Sequence, residues 1–292
     1  MQKQRTVICN ELINKLNNEN ILTKDEYLYL IRNRDICFEN LLRKASQKRD
    51  EIYGNKVYIR GLIEFTNICK NNCYYCGIRK DNLLCERYRL NKDEILSCAD
   101  YGYSLGFRTF VLQGGEDSFY TDTVICDIIK SLKNKYNDCA ITLSIGERSY
   151  ESYKLLKEAG ADRYLLRHET ANNEHYKKLH PSEMSFENRI NCLNYLKELG
   201  YQVGAGFMVG SPYQTDENLS EEVLFLKKIN PQMVGIGPFI THKDTPFKNW
   251  KSGSVETTLF MLSLIRLTLP KVLLPATTAL GTLDEFRKGK RD

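Results

Sequence analysis

Cys69, Cys73 and Cys76 are spaced C-x3-C-x2-C in the stretch Glu64-Phe-Thr-Asn-Ile-Cys-Lys-Asn-Asn-Cys-Tyr-Tyr-Cys-Gly-Ile-Arg79. Thiolates are soft ligands, and three this close suit an iron–sulfur cluster or zinc. A structural zinc ion normally takes four protein ligands. A 4Fe–4S cluster held by three cysteines leaves one iron without a protein ligand, open to a small chelating molecule. The apolar run Val57 to Phe65 precedes the loop and reads as a strand, which places the thiols just past a strand end. Cys85 lies further on among polar residues and reads as a plain loop residue.

Other chemistry-bearing residues also follow apolar runs. Gln113-Gly-Gly-Glu116 follows Thr109–Leu112; its paired glycines let a backbone approach closely, with Glu116 beside them. In Thr142-Leu-Ser-Ile-Gly-Glu147, alternation puts Thr142 and Ser144 on one face. Buried hydroxyls need partners, and either a polar ligand or a water network would serve. In Arg163-Tyr-Leu-Leu-Arg-His-Glu169, Arg163, Leu165, Arg167 and Glu169 share a face. Charges pointing into a core are costly unless paired with each other or with a charged ligand. Glu169 can accept hydrogen bonds from a diol, and a guanidinium can clamp a carboxylate. His168 points the other way and reads as structural. Ser185 caps a helix whose first turn carries Arg189, placed either to reach back to a ligand or to sit in solvent. The glycines of Gly204-Ala-Gly-Phe-Met-Val-Gly210 lie in a strand, so this is no dinucleotide fingerprint; they suit a flat ring packed on the backbone. Ile236, in Met233-Val-Gly-Ile-Gly-Pro-Phe-Ile240, can line the same pocket. Thr277 and Thr278 follow a last apolar run.

These residues need a scaffold of strand ends. Strands are expected at Tyr58–Phe65, Thr109–Leu112, Ala140–Leu143, Arg163–Arg167, Gln202–Met208, Met233–Ile240 and Val272–Ala276. Helical runs alternate with them at Lys92–Leu105, Thr121–Tyr136, Tyr150–Ala159, Phe186–Leu199, Thr215–Lys228 and Val255–Leu269, three of them closed by Gly106, Gly160 and Gly200. The rhythm predicts an α/β fold: an incomplete (β/α) TIM-type barrel of about seven parallel strands, with its chemistry at the strand C-terminal ends. Residues 6–50 read as two or three helices covering one end of the barrel, with Thr23 and Glu26 as a capping box. The expected divisions are a helical extension at 1–50, the barrel at 51–283 and a charged tail at 284–292.

The net charge of +5 is modest and the lysines are scattered, which gives no support to nucleic-acid binding. No apolar run approaches membrane-spanning length and no signal-peptide core follows Met1, so a cytoplasmic protein without a membrane role is expected. Ten cysteines without an export signal argue against a disulfide framework. Cys9, Cys37, Cys98, Cys126 and Cys192 read as small buried residues in helices.

The cysteine loop, with Tyr75 just before its last cysteine, resembles the radical S-adenosylmethionine (SAM) signature. Arg87-Tyr-Arg89, Val111-Leu-Gln-Gly-Gly-Glu-Asp117, Ala161 to Ala171, Ser185 to Arg189, Met233 to Phe239 and Pro275-Ala-Thr-Thr-Ala-Leu-Gly281 extend the resemblance over roughly residues 50–283. They resemble the biotin synthase-like group, and within it the FeFe-hydrogenase maturases. The resemblance implies a SAM-dependent radical enzyme that helps build the diiron part of the hydrogenase H-cluster. It implies that SAM chelates the open iron and is split to a 5′-deoxyadenosyl radical. The implied substrate is a cysteine-bound iron carbonyl/cyanide complex, attacked at sulfur. Other implied partners are an electron donor such as ferredoxin or flavodoxin, and further hydrogenase maturases. Carried over position by position, Cys69, Cys73 and Cys76 hold the cluster. Gly115, Glu116, Ser144, Glu169, Arg189 and Ile236 surround SAM, and Thr142, Arg163, Arg167, Met233, Thr277 and Thr278 line the substrate cavity. Other readings are a sulfur-inserting enzyme, a methylornithine synthase-like mutase, or an inactive iron–sulfur remnant. Such proteins continue beyond the Thr-Thr-Ala-Leu-Gly segment into an eighth strand, some with second-cluster cysteines. Asp284 to Asp292 is too charged and short for a buried strand, so a truncated C-terminus is expected.

Overall fold

The structure is a computed structural model and describes residues 2–283; the expected charged tail at 284–292 lies outside them. Six parallel strands form one sheet: β1 (Gly61–Thr66), β2 (Thr109–Gly114), β3 (Ala140–Ser144), β4 (Arg163–Leu165), β5 (Gln202–Ala205) and β7 (Met233–Val234), in that order. β5 and β7 each break and resume as β6 (Met208–Val209) and β8 (Gly237–Pro238), which pair with one another. The expected seventh strand touches the sheet through a single bridge, Leu273 to Met233. This is a TIM-barrel-like α/β fold with an open side.

Between the strands run α4 (Lys92–Ser104), α5 (Asp122–Lys135), α6 (Tyr150–Glu158), α7 (Asn173–Leu179), α8 (Phe186–Glu198), α9 (Asp216–Ile229) and α10 (Val255–Thr268). Most starts are capped by a Ser, Thr or Asn side chain, as at Asn91, Thr121, Ser149 and Ser185. Gly106, Gly160 and Gly200 follow helix ends with φ of 92°, 117° and 73°, which only glycine takes without strain. α7 was not anticipated. It is seven residues long, started by the Asn172 cap and held by His175, Tyr176 and Leu179.

Strand alternation sorts the side chains. Phe110 and Leu112, Ile141 and Leu143, and Tyr164 and Leu166 pack outward into the apolar layer beneath α4–α6 and α8. Val111, Thr142, Arg163 and Leu165 therefore face the interior. A second core joins β5–β8, α9 and α10 to the N-terminal helices α1 (Gln2–Glu19), α2 (Lys24–Arg32) and α3 (Arg34–Tyr53). These helices lie along the outside of α9 and α10, with the Thr23–Glu26 capping box formed. Cys9, Cys37 and Cys192 are buried and Cys126 is half-buried, as small apolar residues would be. Cys98 departs from that expectation: it lies on the exposed face of α4.

Candidate active site

The cysteine loop leaves the end of β1 and is held from behind. Half-buried Arg87 donates to four of its carbonyls: Asn67 at 2.5 Å, Ile78 at 2.9 Å, Arg79 at 2.7 Å and Asn82 at 3.2 Å. Arg89 forks onto Asp117 at 2.7 and 2.8 Å, and Asp117 also accepts from Thr66 Oγ1 at 2.9 Å. Asp117 is thereby held below the usual carboxylate range: burial alone would raise it, and these hydrogen bonds outweigh that effect. The motif Arg87-Tyr-Arg89 was legible, but these roles were not. Replacing Arg87 by Met should free four carbonyls in a loop with no helix or strand to hold them. At about 1.5–3 kcal/mol per charged hydrogen bond lost, partly recovered by water, a net loss on the order of 3 kcal/mol is expected. Lower melting temperature and faster iron loss on dialysis measure it; unchanged values would mean the loop stands without the arginine.

Gly115 holds the other side. A Cβ there would lie 2.2 Å from the Ile68 carbonyl oxygen and 2.8 Å from Cys69 Cβ. Its close approach is thus to the cysteine loop itself. Glu116 follows, its backbone N–H 3.4 Å from Cys69 Sγ. One carboxylate oxygen accepts the Glu147 N–H at 3.0 Å, and the other lies 3.2 Å from Lys70. Gly146, with φ 77°, leaves the space that the Glu116 side chain occupies.

The thiols are half-buried. Burial, with the other thiols adding to it, pushes Cys73 up to about 12. Burial likewise pushes Cys76 up to about 11, with Cys69 adding to it. Among the described residues, no three His, Cys, Asp or Glu side chains are gathered to hold a metal ion. The three thiols nevertheless belong to one electrostatic neighbourhood. A cluster places each thiolate on a different iron and so needs a wider spread than one zinc ion does. The donor set, all sulfur and three in number, fits the cluster better than zinc.

Beneath the loop, Tyr75 OH lies 3.1 Å from His180 Nε2, and His180 Nδ1 lies 3.0 Å from the Tyr176 carbonyl. Burial lowers His180 to about 3, so its ring is neutral. Nδ1 must donate to the carbonyl, which leaves Nε2 to accept from Tyr75. Met184 Sδ sits 3.6 Å from Cys73 Sγ.

Facing the loop across the strand ends are Arg167, Glu169 and Arg189. Glu169 is buried with φ 65°, an uncommon conformation for a residue other than glycine. Its N–H donates to the Gly206 carbonyl at 3.0 Å. Arg167 Nη2 and Glu169 Oε2 are 3.2 Å apart but without hydrogen-bonding geometry, and both count among buried atoms with no partner. Arg189 is buried, paired through Nε with Glu147, and donates to the Arg167 carbonyl at 2.9 Å. Burial alone would lower Arg189; the Glu147 carboxylate overrides this and keeps it charged. Arg189 thus sits among protein groups, not in solvent. Further in, Thr142 Oγ1 and Thr277 Oγ1 are also buried without partners.

His168 points away from this interior, as expected. It pairs with Glu222 of α9 at 2.8 Å and accepts the Gly206 N–H at 3.3 Å.

Three expected positions differ. Ile236 packs into the apolar layer under α9 and α10, because alternation carries Val234 and Ile236 outward together. Glycines 235 and 237 face inward instead, with open space around Gly235 and Thr277 against Gly237. Thr278 is exposed at the start of α11 (Thr278–Leu283), since adjacent residues at a helix start diverge. Arg163 and Arg167 do not form a pair. Arg163 bends to the base of the barrel, where Nε bonds Gln202 at 2.7 Å and Nη1 bonds Thr109 at 3.3 Å. There Arg60 joins it and hydrogen-bonds Met233 Sδ. Burial, with Arg163 adding to it, lowers Arg60. Ser144 stands at the end of β3, in register with Gln113.

The family profile of the radical SAM superfamily matches residues 63–226. The chain is similar to the [FeFe] hydrogenase maturase subunit HydE of Thermotoga maritima, 51% identical over 245 residues, spanning 84% of this chain and 70% of that protein. It is similar to 3-methylornithine synthase of Methanosarcina acetivorans, 29% identical, over 84% of this chain and 70% of that one. Among solved structures, methylornithine synthase (PylB) superposes with a TM-score of 0.83 at 28% identity, over 91% of this chain and 78% of that one. The maturase HydG from Carboxydothermus hydrogenoformans superposes at 0.78 and 22% identity, over 97% and 73%, a likeness of fold.

Proposed function

The chain belongs to the radical SAM superfamily, in the family of the hydrogenase maturase HydE, and from that premise we propose that it takes part in assembling the diiron site of an FeFe hydrogenase. In this reading Cys69, Cys73 and Cys76 hold a 4Fe–4S cluster, and Glu116, Ser144, Glu169 and Arg189 surround SAM. The cluster, when bound, supplies the electron that divides SAM into methionine and a 5′-deoxyadenosyl group. The substrate is a small anionic species, a cysteine-bound iron carbonyl/cyanide complex. A ferredoxin or flavodoxin gives the electron, and other hydrogenase maturases supply the substrate or take the product. We place the reaction in the cytosol, where free thiols persist.

One observation carries this reading. Thr142, Arg167, Glu169 and Thr277 all have buried polar atoms without hydrogen-bond partners, and of these only Arg167 and Glu169 lie within ion-pair distance of each other, at 3.2 Å. Such atoms cost on the order of 1–3 kcal/mol each while unpaired. Three of the four residues are donors, which suits an anion with acceptor atoms. Glu169, as an acceptor, suits the hydroxyls of a ribose. Arg189 and Glu147 orient this wall, and Gly115 and Arg87 fix the loop opposite it. Gly235, with nothing near its missing Cβ, leaves room for a flat ring. An iron–sulfur carrier has no use for such an interior.

The test is anaerobic reconstitution with iron and sulfide, then SAM and dithionite. Without substrate the expected result is 5′-deoxyadenosine and methionine in equal amounts; with substrate, methionine counts the turnover, because the adenosyl group is taken up at the substrate's sulfur. Turnover should rise with the cysteine-bound iron carbonyl/cyanide complex and not with dethiobiotin or lysine. Thr142→Val should weaken that rise roughly tenfold through one lost hydrogen bond, with uncoupled cleavage unchanged. Faster turnover with dethiobiotin or lysine would move the assignment to sulfur insertion or to mutase chemistry.

A further inference from the structure

Beside the cysteine loop lies a surface that the reaction above does not use. Residues 241–253 leave β8 and return as a tied-down loop. The Thr241 N–H donates to Ser252 Oγ at 3.1 Å, Thr241 Oγ1 to the Trp250 carbonyl at 2.6 Å, and the Gly253 N–H to the Phe239 carbonyl at 2.8 Å. The loop exposes Trp250, the chain's one tryptophan, at 39%. Trp250 meets Tyr213 edge-on at 4.6 Å, and Tyr213 is 46% exposed. Tyr213 holds φ 65°, a conformation its bulk disfavours, so the ring is presented at a cost in strain.

This edge is basic. Lys243, Lys248 and Lys251 are exposed on the loop, against Asp244 as its one acid. Lys178 of α7 lies 5.3 Å from the Tyr213 ring centre. Its neighbour Lys177 is paired with Glu174, whereas Lys178, Lys248 and Lys251 have no carboxylate partner among the described residues. Exposed aromatics ringed by unpaired lysines suit an acidic protein partner.

The edge is also wired inward. Trp250 stands 6.2 Å from buried Phe247, and Phe247 6.1 Å from Tyr74, ring centre to ring centre. Tyr74 is the residue after Cys73, and its N–H is anchored on the Leu179 carbonyl at 3.0 Å. The His242 ring lies against Gly77, the residue after Cys76. Aromatic contacts thus run unbroken from the exposed edge to the cysteine loop.

We propose that the Tyr213–Trp250 edge, with Lys178, Lys248 and Lys251, is the docking surface for a small acidic one-electron carrier protein. The proposal rests on the reading of the cysteine loop as a cluster site. In the exchange the carrier is oxidised by one electron and the cluster reduced by one; no bond forms or breaks.

The test uses the full chain and an acidic flavodoxin as probe, with the paired variant Lys248→Glu/Lys251→Glu and, separately, Trp250→Ala. Lys130→Glu/Lys154→Glu, on exposed positions of α5 and α6, is the control. Binding of flavodoxin is measured by calorimetry at low salt and at high salt, with and without iron. Loaded protein is then assayed for 5′-deoxyadenosine with reduced flavodoxin and with dithionite. The lysine variant should bind flavodoxin about tenfold more weakly at low salt, with the difference fading at high salt. Flavodoxin-driven turnover should fall in step for both variants while dithionite-driven turnover stays at the wild-type rate. Wild-type binding in both variants overturns the proposal, and so does an equal loss with dithionite. If wild-type protein yields no 5′-deoxyadenosine even with dithionite, the cluster reading fails, and the calorimetry still decides whether the surface binds the carrier.

Discussion

Alanine in place of any one of Cys69, Cys73 or Cys76 is expected to reduce iron from about four atoms per chain to under about one after anaerobic reconstitution and desalting. In the proposed assignment each thiolate would anchor a different iron, so losing one would leave two anchors and open a second iron to solvent. The loop has no spare sulfur in position. Cys85 Sγ donates to the adjacent Glu86 carbonyl at 3.7 Å and accepts from Asn67 Nδ2 at 3.7 Å. Met184 touches Cys73 but is a neutral thioether and a weak ligand beside a thiolate. Cys85→Ala should therefore retain full iron and the same brown absorbance. The apo forms of all four variants should melt near the wild-type apo temperature, because Arg87 and Gly115 hold the loop without metal. Iron assay and differential scanning calorimetry separate the two effects. Full iron in one of the three loop variants, together with loss in Cys85→Ala, would replace the assigned ligand set.

The second large effect is on SAM. Glu169→Gln keeps the shape of a strained, buried side chain and removes its charge. Losing a charge-assisted hydrogen bond costs about 1.5–3 kcal/mol, so SAM affinity should fall roughly ten- to a hundredfold. Arg189 needs a paired design. Arg189→Met alone strands the Glu147 carboxylate, and breaking a buried ion pair costs about 3–5 kcal/mol. That single variant should lose stability and affinity together. Glu147→Gln/Arg189→Met should recover most of the melting temperature and still bind SAM weakly. Wild-type affinity in the double variant would show that Arg189 only braces the wall; wild-type affinity in Glu169→Gln would remove Glu169 from the SAM contacts. Isothermal titration of anaerobic, reconstituted protein reads both.

Much of the architecture was legible because its signals are local. Glycine stops and Ser, Thr or Asn caps fixed helix ends to within a residue or so, and alternation turned His168 away from the interior. What was not legible depends on contacts distant in sequence. Nothing near Arg163 says that its side chain will bend to the barrel base and meet Arg60. Ile236 was misplaced although alternation from Val234 turns it outward into the apolar layer. Thr277 and Thr278 looked equivalent until a short helix began between them. Glu147 showed no motif of its own, yet it fixes both Glu116 and Arg189. α7 was too short to show a period, although its Tyr176 and the His180 that follows it shape the floor beneath Tyr75.

The Arg87 clamp has a kinetic consequence. Its four carbonyl partners lie only 20, 9, 8 and 5 residues away in the chain. Contacts of such low separation close early and at small entropic cost, whereas the parallel strand pairings span tens of residues and form slowly. The Arg87 clamp can therefore close before the sheet is assembled, leaving Gly115 and Glu116 to seat the loop when β2 joins β1. On the cluster reading proposed above, iron would then meet a partly formed loop while the chain is still folding.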